Sequence, residues 1–301
     1  MNKILITGGH GFVGKNIVPL FKRYEVFTPT FDQADFRDPK QCRRWVKGMD
    51  IVVHLAGNVG GIGYNMDHPA ELFYDNALMG IQLIHEAYEA GVAKMVVVGT
   101  VCAYPKYTKV PFKEIDLWDG YPEETNAPYG IAKKILLTQA QAYRKQYGFN
   151  CIYLLPVNMY GPYDNFDPRT SHVIPALIRK FIEAKKKNEH QVFLWGTGKA
   201  TRQFLYAKDF GKAILKALAK YNDPEPLNIA SGKEISIDKL AKLIKKLVGY
   251  KGLICYEGSV SDGQPRRCLD TTRAESLIGF KATTTFEEGL KETIKSYLTY
   301  V

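Results

Sequence analysis

The sequence predicts an α/β protein, with a doubly wound parallel sheet in its first half and a smaller mixed α/β domain in its second. Short apolar runs alternate with amphipathic segments, a glycine-rich turn follows the first run, and proline and glycine become frequent after about residue 160. The expected domains are 1–160 and 161–301, with segments near 200–225 returning to the large sheet.

The predicted strands of the large sheet are the apolar runs KILIT, EVF, DIVVHL, KMVVVG and CIYLLP. Helical segments separate most of these runs along the chain. This alternation is typical of βαβ units, whose parallel strands are covered by helices on both faces. In the second half, SIDKLAKLIKKLVG is a predicted helix among looser, proline-rich segments.

The composition is that of a globular protein, with 46% hydrophobic and 24% charged residues in a chain of 301. No apolar run approaches the roughly 20 residues of a membrane helix. The N-terminus turns directly into glycines and does not form a secretory signal. We therefore expect a cytoplasmic protein with no membrane partner.

Cysteine usage and net charge exclude two further classes of site. The five cysteines include no CxxC pair, so we expect reduced thiols and no metal site. The net charge of +10 is diffuse, and its one tight run, KKK at 185–187, lies near the end of a helical pattern. The charge therefore predicts no nucleic-acid partner, although it favours an anionic small substrate.

The glycine-rich turn is the first functional motif. In ILITGGHGFVGKNIV, Gly8, Gly11 and Gly14 stand between the first strand and the first helix. Glycines at this spacing let the backbone approach a pyrophosphate, and the helix N-terminus favours its negative charge. An ordinary tight turn is the alternative, but the flanking strand and helix favour a Rossmann-type dinucleotide site.

The second predicted strand leaves the choice between NADP and NAD open. An acidic residue at its end would favour NAD, and an arginine would favour NADP. Thr28 and Thr30 stand there instead, and their hydroxyls suit a phosphate or a ribose. We expect Asp35 and Phe36 to border the adenine, while Asp32 is equally consistent with a loop cap.

A further motif is the pair Tyr129 and Lys133 on a predicted helix, NAPYGIAKKILLTQAQAYRKQYG. Their spacing of four puts both side chains on one face, so the ammonium can stabilise the ionised phenol. Thr100, at the end of a predicted strand, can orient the same substrate oxygen. A surface tyrosine beside a solvated lysine is the alternative, but together with the dinucleotide turn the set favours hydride transfer.

These motifs are similar to those of extended short-chain dehydrogenases/reductases. More specifically, the chain resembles the GDP-L-fucose synthase family from end to end, in the segments NVGGIGYNMDHPAELFYDN, CAYPK, NAPYGIAK, PVNMYGPYDNF, SHVIPALIRKF, VFLWGTG, RQFLY and SDGQPRR. The resemblance implies an NADP-dependent enzyme that inverts GDP-4-keto-6-deoxy-D-mannose at C3 and C5 and then reduces C4, giving GDP-L-fucose. NAD is not excluded as the cofactor.

Inversion beside a ketone requires groups that remove and return protons on opposite faces. Cys102 and His172 are a chemically sensible base and acid, and they match the catalytic cysteine and histidine of the family that the chain resembles. Taken singly, Cys102 could be a packing residue and His172 a helix cap. The catalytic set implied by the resemblance is Thr100, Cys102, Tyr129, Lys133 and His172.

The resemblance also implies two sets of binding residues. The cofactor set is Gly8, Gly11, Phe12, Val13, Gly14, Asp35, Phe36, Leu55, Ala56, Lys133, Pro156, Asn158 and His172. The GDP-sugar set is Asn158, Lys180, Trp195, Arg202, Asp262 and Arg267, with Trp195 equally explicable as a core residue. Two positions depart from many family members: Thr100 replaces a serine, and Lys180 stands where an arginine occurs in some.

Three further expectations concern partners and competing functions. The resemblance implies a homodimer with a four-helix interface, formed by AELFYDNALMGIQLIHEAYEAG and the Tyr129 helix. A related enzyme acting on another GDP-4-keto sugar, such as a heptose, with both epimerisations or with reduction alone, is the nearest alternative. A non-catalytic dinucleotide sensor is an alternative from another class.

Overall fold

A computed structural model describes residues 1–258 and 264–299. Its strands are β1 Lys3–Thr7, β2 Glu25–Phe27, β3 Ile51–His54, β4 Lys94–Val98, β5 Cys151–Pro156, β6 Asn158–Tyr160, β7 Gln191–Trp195, β8 Thr201–Tyr206, β9 Leu227–Ile229, β10 Glu234–Ser236, β11 Leu253–Glu257 and β12 Arg266–Arg267. Its helices are α1 Phe12–Ile17, α2 Pro39–Val46, α3 Ile62–Asp67, α4 Pro69–Glu89, α5 Ala127–Tyr147, α6 Val173–Lys186, α7 Ala207–Lys220, α8 Ile237–Val248, α9 Thr272–Ile278 and α10 Phe286–Leu298.

The large sheet has the strand order β2-β1-β3-β4-β5-β9, and its neighbouring strands are parallel. It contains all five predicted strands, so the doubly wound parallel sheet is confirmed. The chain leaves β1 towards one edge through β2 and returns through β3 on the other side. This reversal opens a crevice at the carboxyl ends of β1 and β3, where such sheets bind ligands.

The second domain is built on short strands of mixed direction. In its main sheet β8 pairs with antiparallel β10 and with parallel β12, and β6 also pairs with β8. Strands β7 and β11 form a separate parallel pair. These sheets, covered by α6, α8 and α10, confirm the smaller mixed α/β domain.

Two hydrophobic cores show which segments pack together. The core of the large sheet includes Ile4, Val96 and Leu154, and residues of α7 and α9 also belong to it. The second core includes Phe181 and Ile244. The segment expected to return to the large sheet is thus divided: α7 packs against α1, β8 stays in the second domain, and the returning strand is β9. The domain limits remain predictions.

Residues 1–258 and 264–299 contain neither a membrane-spanning helix nor a cluster of metal ligands. No helix there is long and apolar enough to cross a membrane. In the same ranges, no group of three or more His, Cys, Asp and Glu side chains is arranged to hold a metal ion.

Candidate active site

Two candidate catalytic residues share one short turn at the carboxyl end of β4. The Thr100 hydroxyl accepts a hydrogen bond from the backbone N–H of Cys102 at 3.2 Å. This bond caps a single 3₁₀ turn, Val101–Ala103, and so fixes the path by which Cys102 leaves the sheet. Thr100 is buried and Cys102 is half-buried. The turn therefore presents a hydroxyl and a thiol at the ligand-binding edge of the sheet.

The amino end of α5 packs directly against this turn. A Cβ on Gly130 would stand 2.4 Å from the Cys102 carbonyl oxygen, so a larger residue would push the helix away. The close approach sets the Tyr129 phenol beside Thr100, near enough for that hydroxyl to lower the pKa of the phenol. Lys133 follows one helical turn later and is 3% exposed. The structure thus brings together four of the five predicted catalytic residues.

Burial sets the protonation of Tyr129 and Lys133. It raises the pKa of Tyr129, with a further increase from the charge of Cys102 and a partial decrease from the Thr100 hydrogen bond. It lowers the pKa of Lys133 to about 8. Burial therefore outweighs any help that the ammonium gives to ionisation of the phenol in the substrate-free protein, and the predicted role of Lys133 in stabilising the phenolate stays a prediction. Near neutral pH the phenol is therefore a proton donor beside a mostly protonated lysine.

The loop after β3 connects Lys133 with the segment that precedes His172. The Lys133 ammonium lies 3.9 Å from the place where a Cβ would stand on Gly57. A few residues further on, the Gly61 N–H donates to the Thr170 carbonyl at 2.9 Å. This loop therefore borders both the reductive pair and the approach to α6.

His172 stands immediately before α6, at its N-cap, but its side chain makes no capping hydrogen bond. The alternative role as a helix cap is therefore not supported. His172 is exposed as a residue, and desolvation of its imidazole by neighbouring protein atoms lowers the pKa of the ring. The imidazole is thus mostly neutral near pH 7, so it must gain a proton before it can act as an acid.

The Cys102 sulfur has two polar neighbours that were not predicted for it. Arg267 Nη1 lies 3.5 Å from Sγ, and Asn126 Oδ1 lies 3.8 Å from it. Arg267 is one of the residues predicted to bind the GDP-sugar, whereas Asn126 is not among the predicted site residues. An asparagine directly before a helix ordinarily signals a cap, so its contact with the sulfur gives no local sequence signal.

A cleft of about 430 Å³ opens at the carboxyl ends of β1 and β3. Gly8 has a positive φ of 69°, and a Cβ there would lie 2.8 Å from the backbone nitrogen of Ala56, so glycine lets the two strand ends close on each other. Of the predicted cofactor residues, the cleft is lined by Gly8, Gly11, Asp35, Phe36 and Ala56. Its backbone-rich wall and its aromatic and charged side chains fit a dinucleotide.

Sequence reasoning missed Arg37 in this cleft. Its guanidinium donates to Asp35, with the closest contact at 2.7 Å, and to Asp75 at 2.9 Å. It also lies 5.7 Å from the ring centre of Phe31. Neither of these two residues is buried, so this contact does not shield the guanidinium from solvent. The Arg37 hydrogen bond lowers the pKa of Asp35, so that carboxylate is ionised. The arginine that could favour NADP thus comes ten residues after the end of β2, whereas the sequence prediction considered only the residues at the end of that strand.

Six other predicted cofactor residues stand at the start of a helix or at a strand end. Phe12, Val13 and Gly14 open α1, and Leu55 directly follows β3. Pro156 ends β5, and Asn158 begins β6 at the passage into the second domain. Their cofactor contacts remain predictions.

Four of the predicted GDP-sugar residues, Lys180, Trp195, Arg202 and Arg267, lie on the second domain. Lys180 Nζ donates to the Phe193 carbonyl at 2.9 Å and stands 5.8 Å from the Trp195 ring centre. Trp195 is 68% exposed, so it does not complete a core as the alternative held. Arg202 and Arg267 are paired in register on β8 and β12. Asp262 lies outside the described residues.

The dinucleotide-type crevice and the Thr100, Tyr129 and Lys133 cluster define a nicotinamide-dependent enzyme of the short-chain dehydrogenase/reductase class. A profile of the "NAD dependent epimerase/dehydratase family" matches residues 4–230. The chain is 38% identical to the GDP-L-fucose synthase of Sinorhizobium fredii over 303 residues, covering 99% of this chain and 96% of that protein.

Two solved structures are similar over almost the whole chain. A GDP-6-OMe-4-keto-L-xylo-heptose reductase from C. jejuni has a TM-score of 0.94 at 26% identity, covering 100% of this chain and 98% of that one. A GDP-L-fucose synthetase from Naegleria fowleri bound to NADP has a TM-score of 0.89 at 27% identity, with 99% and 94% covered. The chain belongs to the NAD dependent epimerase/dehydratase family and, within it, to the GDP-L-fucose synthase family, which confirms the resemblance.

Proposed function

We propose that this enzyme converts GDP-4-keto-6-deoxy-D-mannose to GDP-L-fucose, inverting C3 and C5 and reducing C4 with NADPH. One observation carries the proposal: Cys102 lies in the same turn as Thr100, against the helix that bears Tyr129. A thiol at the reductive centre can remove a proton from a carbon next to the ketone that is to be reduced. The full-length similarity to GDP-L-fucose synthases supports the same substrate.

The epimerisation steps use Cys102 and His172. In each step the Cys102 thiolate removes a proton from the carbon beside the ketone: the C–H bond breaks, an S–H bond forms, and the electron pair moves into the carbonyl as an enolate. The His172 imidazolium then returns a proton to the opposite face, which forms the inverted C–H bond. Because the pKa of His172 is lowered, we expect this return to slow as the pH rises.

The reduction step uses Thr100, Tyr129 and Lys133. Bound NADPH supplies the hydride that C4 receives. The Tyr129 phenol, protonated because burial raises its pKa, gives its proton to the C4 oxygen while Thr100 orients that oxygen. The Lys133 ammonium stabilises the phenolate that remains.

We assign the cofactor cleft to the adenosine end of NADP(H). Arg37 supplies guanidinium donors for a 2′-phosphate there, but in this structure they are paired with Asp35 and Asp75, whose two negative charges outweigh its single positive charge. The Naegleria fowleri relative bound to NADP supports this choice. NAD is the alternative, and a comparison of KM for the two reduced cofactors decides between them.

The experiment that tests the proposal offers GDP-4-keto-6-deoxy-D-mannose and NADPH to the enzyme in deuterated water. We expect GDP-L-fucose with deuterium at C3 and C5 and stoichiometric cofactor oxidation. Cys102→Ser should lower deuterium incorporation at least about 100-fold, because a serine hydroxyl is a far weaker acid than a thiol and so provides almost no anion to act as the base near neutral pH. Cys255→Ser is the matched control, since Cys255 lies on β11 in the second domain.

A second candidate is a reductase of a related GDP-4-keto sugar such as a heptose. The similarity to the C. jejuni heptose reductase, at a TM-score of 0.94, favours it. Cofactor oxidation without deuterium at C3 or C5 would support this candidate against the first. If neither sugar supported cofactor oxidation, a non-catalytic dinucleotide-sensing role would replace both.

We also propose that the enzyme is a homodimer formed through α4 and α5. The two helices pack together, and α4 still exposes Phe73, Tyr74 and Ile81 on its outer side, at 42%, 61% and 39%. Apolar side chains spaced seven and eight residues apart form one helical face, which a second copy would cover in a four-helix interface. The cytoplasmic location expected from the sequence remains a prediction.

A further inference from the structure

Asn126 stands at the start of α5 but does not cap the helix. Asparagine at this position ordinarily accepts a hydrogen bond from the first turn. Here the side chain is 7% exposed and turns elsewhere. Its Nδ2 donates to the Glu123 carboxylate at 2.5 Å, and its Oδ1 accepts from Asn65 Nδ2 at 3.0 Å. Since a carboxylate accepts only, these bonds fix the amide so that its oxygen faces Cys102 Sγ, 3.8 Å away.

Arg267 approaches the same sulfur with a donor. Its Nη1 lies 3.5 Å from Cys102 Sγ, while its Nε donates to Gln264 Oε1 at 3.1 Å. Gln264 in turn donates to the Lys106 carbonyl at 2.7 Å. The guanidinium is therefore held in place by strand β12 and by this chain of bonds. The sulfur thus has a fixed acceptor in Asn126 and a fixed donor in Arg267.

We propose that Asn126 and Arg267 are positioning residues that hold the Cys102 sulfur in both of its protonation states. Asn126 Oδ1 accepts the S–H of the thiol, and Arg267 Nη1 donates to the thiolate. This inference rests on the proposed function, because two inversions on one sugar require the sulfur to take up a proton twice.

The proton balance shows why both partners are needed. When Cys102 takes the first proton, the S–H bond that forms points at Asn126. Before the second inversion that proton must pass to water, which breaks the S–H bond and leaves its electron pair on sulfur as a thiolate. Arg267 stabilises this anion by charge and by hydrogen bonding. Without either partner the sulfur would be held well in only one of the two states.

Other ionisable groups near the sulfur are few among the described residues. The Tyr129 phenol faces it from α5, and the Glu123 carboxylate lies behind Asn126 within electrostatic reach of Arg267. The adjacent Arg266 instead forms an ion pair with Glu234 at 2.7 Å. Substitution of Arg266 is therefore a suitable control for the effect that substitution of Arg267 has on the reactivity of the Cys102 thiolate.

The first test measures alkylation of Cys102 by iodoacetamide in the substrate-free enzyme from pH 6 to 9, with the modified peptide identified by mass spectrometry. We expect Arg267→Gln to slow the reaction about five- to tenfold near neutral pH, because the thiolate is the reactive form. Arg267→Lys should retain most of the rate, and Arg266→Gln should equal the wild type. Equal rates for Arg267→Gln and the wild type would overturn the role of Arg267.

The second test separates Asn126 from Arg267. Because Asn126 supports the thiol, Asn126→Ala should leave alkylation undiminished, yet it should slow deuterium entry at C3 and C5 about tenfold through loss of orientation. Unchanged deuterium entry, or alkylation slowed as in Arg267→Gln, would overturn its role. Thermal unfolding checks that the variant is folded. Absence of deuterium entry in the wild type would contradict the proposed function instead, while the alkylation results would still stand.

Discussion

Lys133 is a buried cation whose charge the reductive step needs. At 3% exposure its ammonium is poorly solvated, and burial lowers its pKa to about 8 from the usual value of 10.5. The neighbouring phenol shifts in the opposite direction, since burial raises the pKa of Tyr129. As the pH rises, Lys133 therefore loses its proton before Tyr129 does.

This order predicts the pH dependence of ketone reduction. The rate should fall as the pH rises through about 8, with the loss of one proton, because neutral Lys133 no longer stabilises the phenolate. Lys133→Met should lower the rate of reduction about 100-fold or more and remove this inflection. Cofactor oxidation measured from pH 6 to 10 gives both results.

Lys145→Met is the control for this prediction, because Lys145 is an exposed residue of the last turn of the same helix. Its pH profile should match the wild type. An inflection near pH 8 that persisted in Lys133→Met would assign the proton to another group.

At the residue scale, local spacing predicted the candidates that lie close together in sequence. Thr100 and Cys102 share a turn, and four-residue spacing aligns Tyr129 with Lys133. The contact between Arg267 and Cys102 joins residues 165 positions apart, and it depends on how β12 pairs with β8. No local pattern encodes such a contact, so the surroundings of the thiol could not be predicted.

At the scale of elements, the loop 161–172 between β6 and α6 contains a buried carboxyl group. Asp164 Oδ1 accepts the Asn165 backbone N–H at 2.8 Å, whereas Oδ2 has no hydrogen-bond partner among the described residues. Burial raises the pKa of Asp164 to about 8. The loop also ends at His172, so its conformation bears on the candidate site.

Asp164 makes a prediction about stability. The folded protein keeps a proton that the unfolded chain releases above about pH 4, so this group lowers stability as the pH rises from about 4 to 8. Asp164→Asn has no such proton. The difference in free energy of unfolding, variant minus wild type, should therefore increase by at least about 1 kcal/mol between pH 5 and pH 8. Urea unfolding at the two pH values measures this difference.

Asp167→Asn provides the contrast in the same loop. Hydrogen bonding by the Arg169 backbone lowers the pKa of Asp167, so its ionised form favours the folded state. The free energy of unfolding of Asp167→Asn, relative to that of the wild type, should therefore not increase as the pH rises. A pH dependence of Asp164→Asn identical to the wild type would show that Asp164 is ionised in the folded protein.

At the scale of the molecule, periodicity predicted the large sheet better than the second domain. Strands such as β4 and β5 are apolar throughout and buried, so they are recognisable without their partners. Strand β12 spans two residues, Arg266 and Arg267, and exists only because β8 lies beside it. Short strands of this kind are set by tertiary pairing and are poorly predicted from sequence.

The proposed homodimer is tested by placing a charge on the outer face of α4. Ile81→Glu should convert the dimer to a monomer, because two buried carboxylates would face each other across the interface. Light scattering after size-exclusion chromatography gives the mass. Ile115→Glu, at a residue that is 82% exposed outside α4 and α5, should leave the mass unchanged. A monomeric wild type would contradict the proposal.

The return of β9 and α9 to the large sheet has a consequence for synthesis of the chain. A nascent polypeptide that ends near residue 160 lacks β9, so the open edge of β5 has no partner strand. Its hydrophobic core also lacks α7 and α9. Productive folding on the ribosome must therefore wait until nearly the whole polypeptide has emerged, and until then the exposed edge offers a template for aggregation.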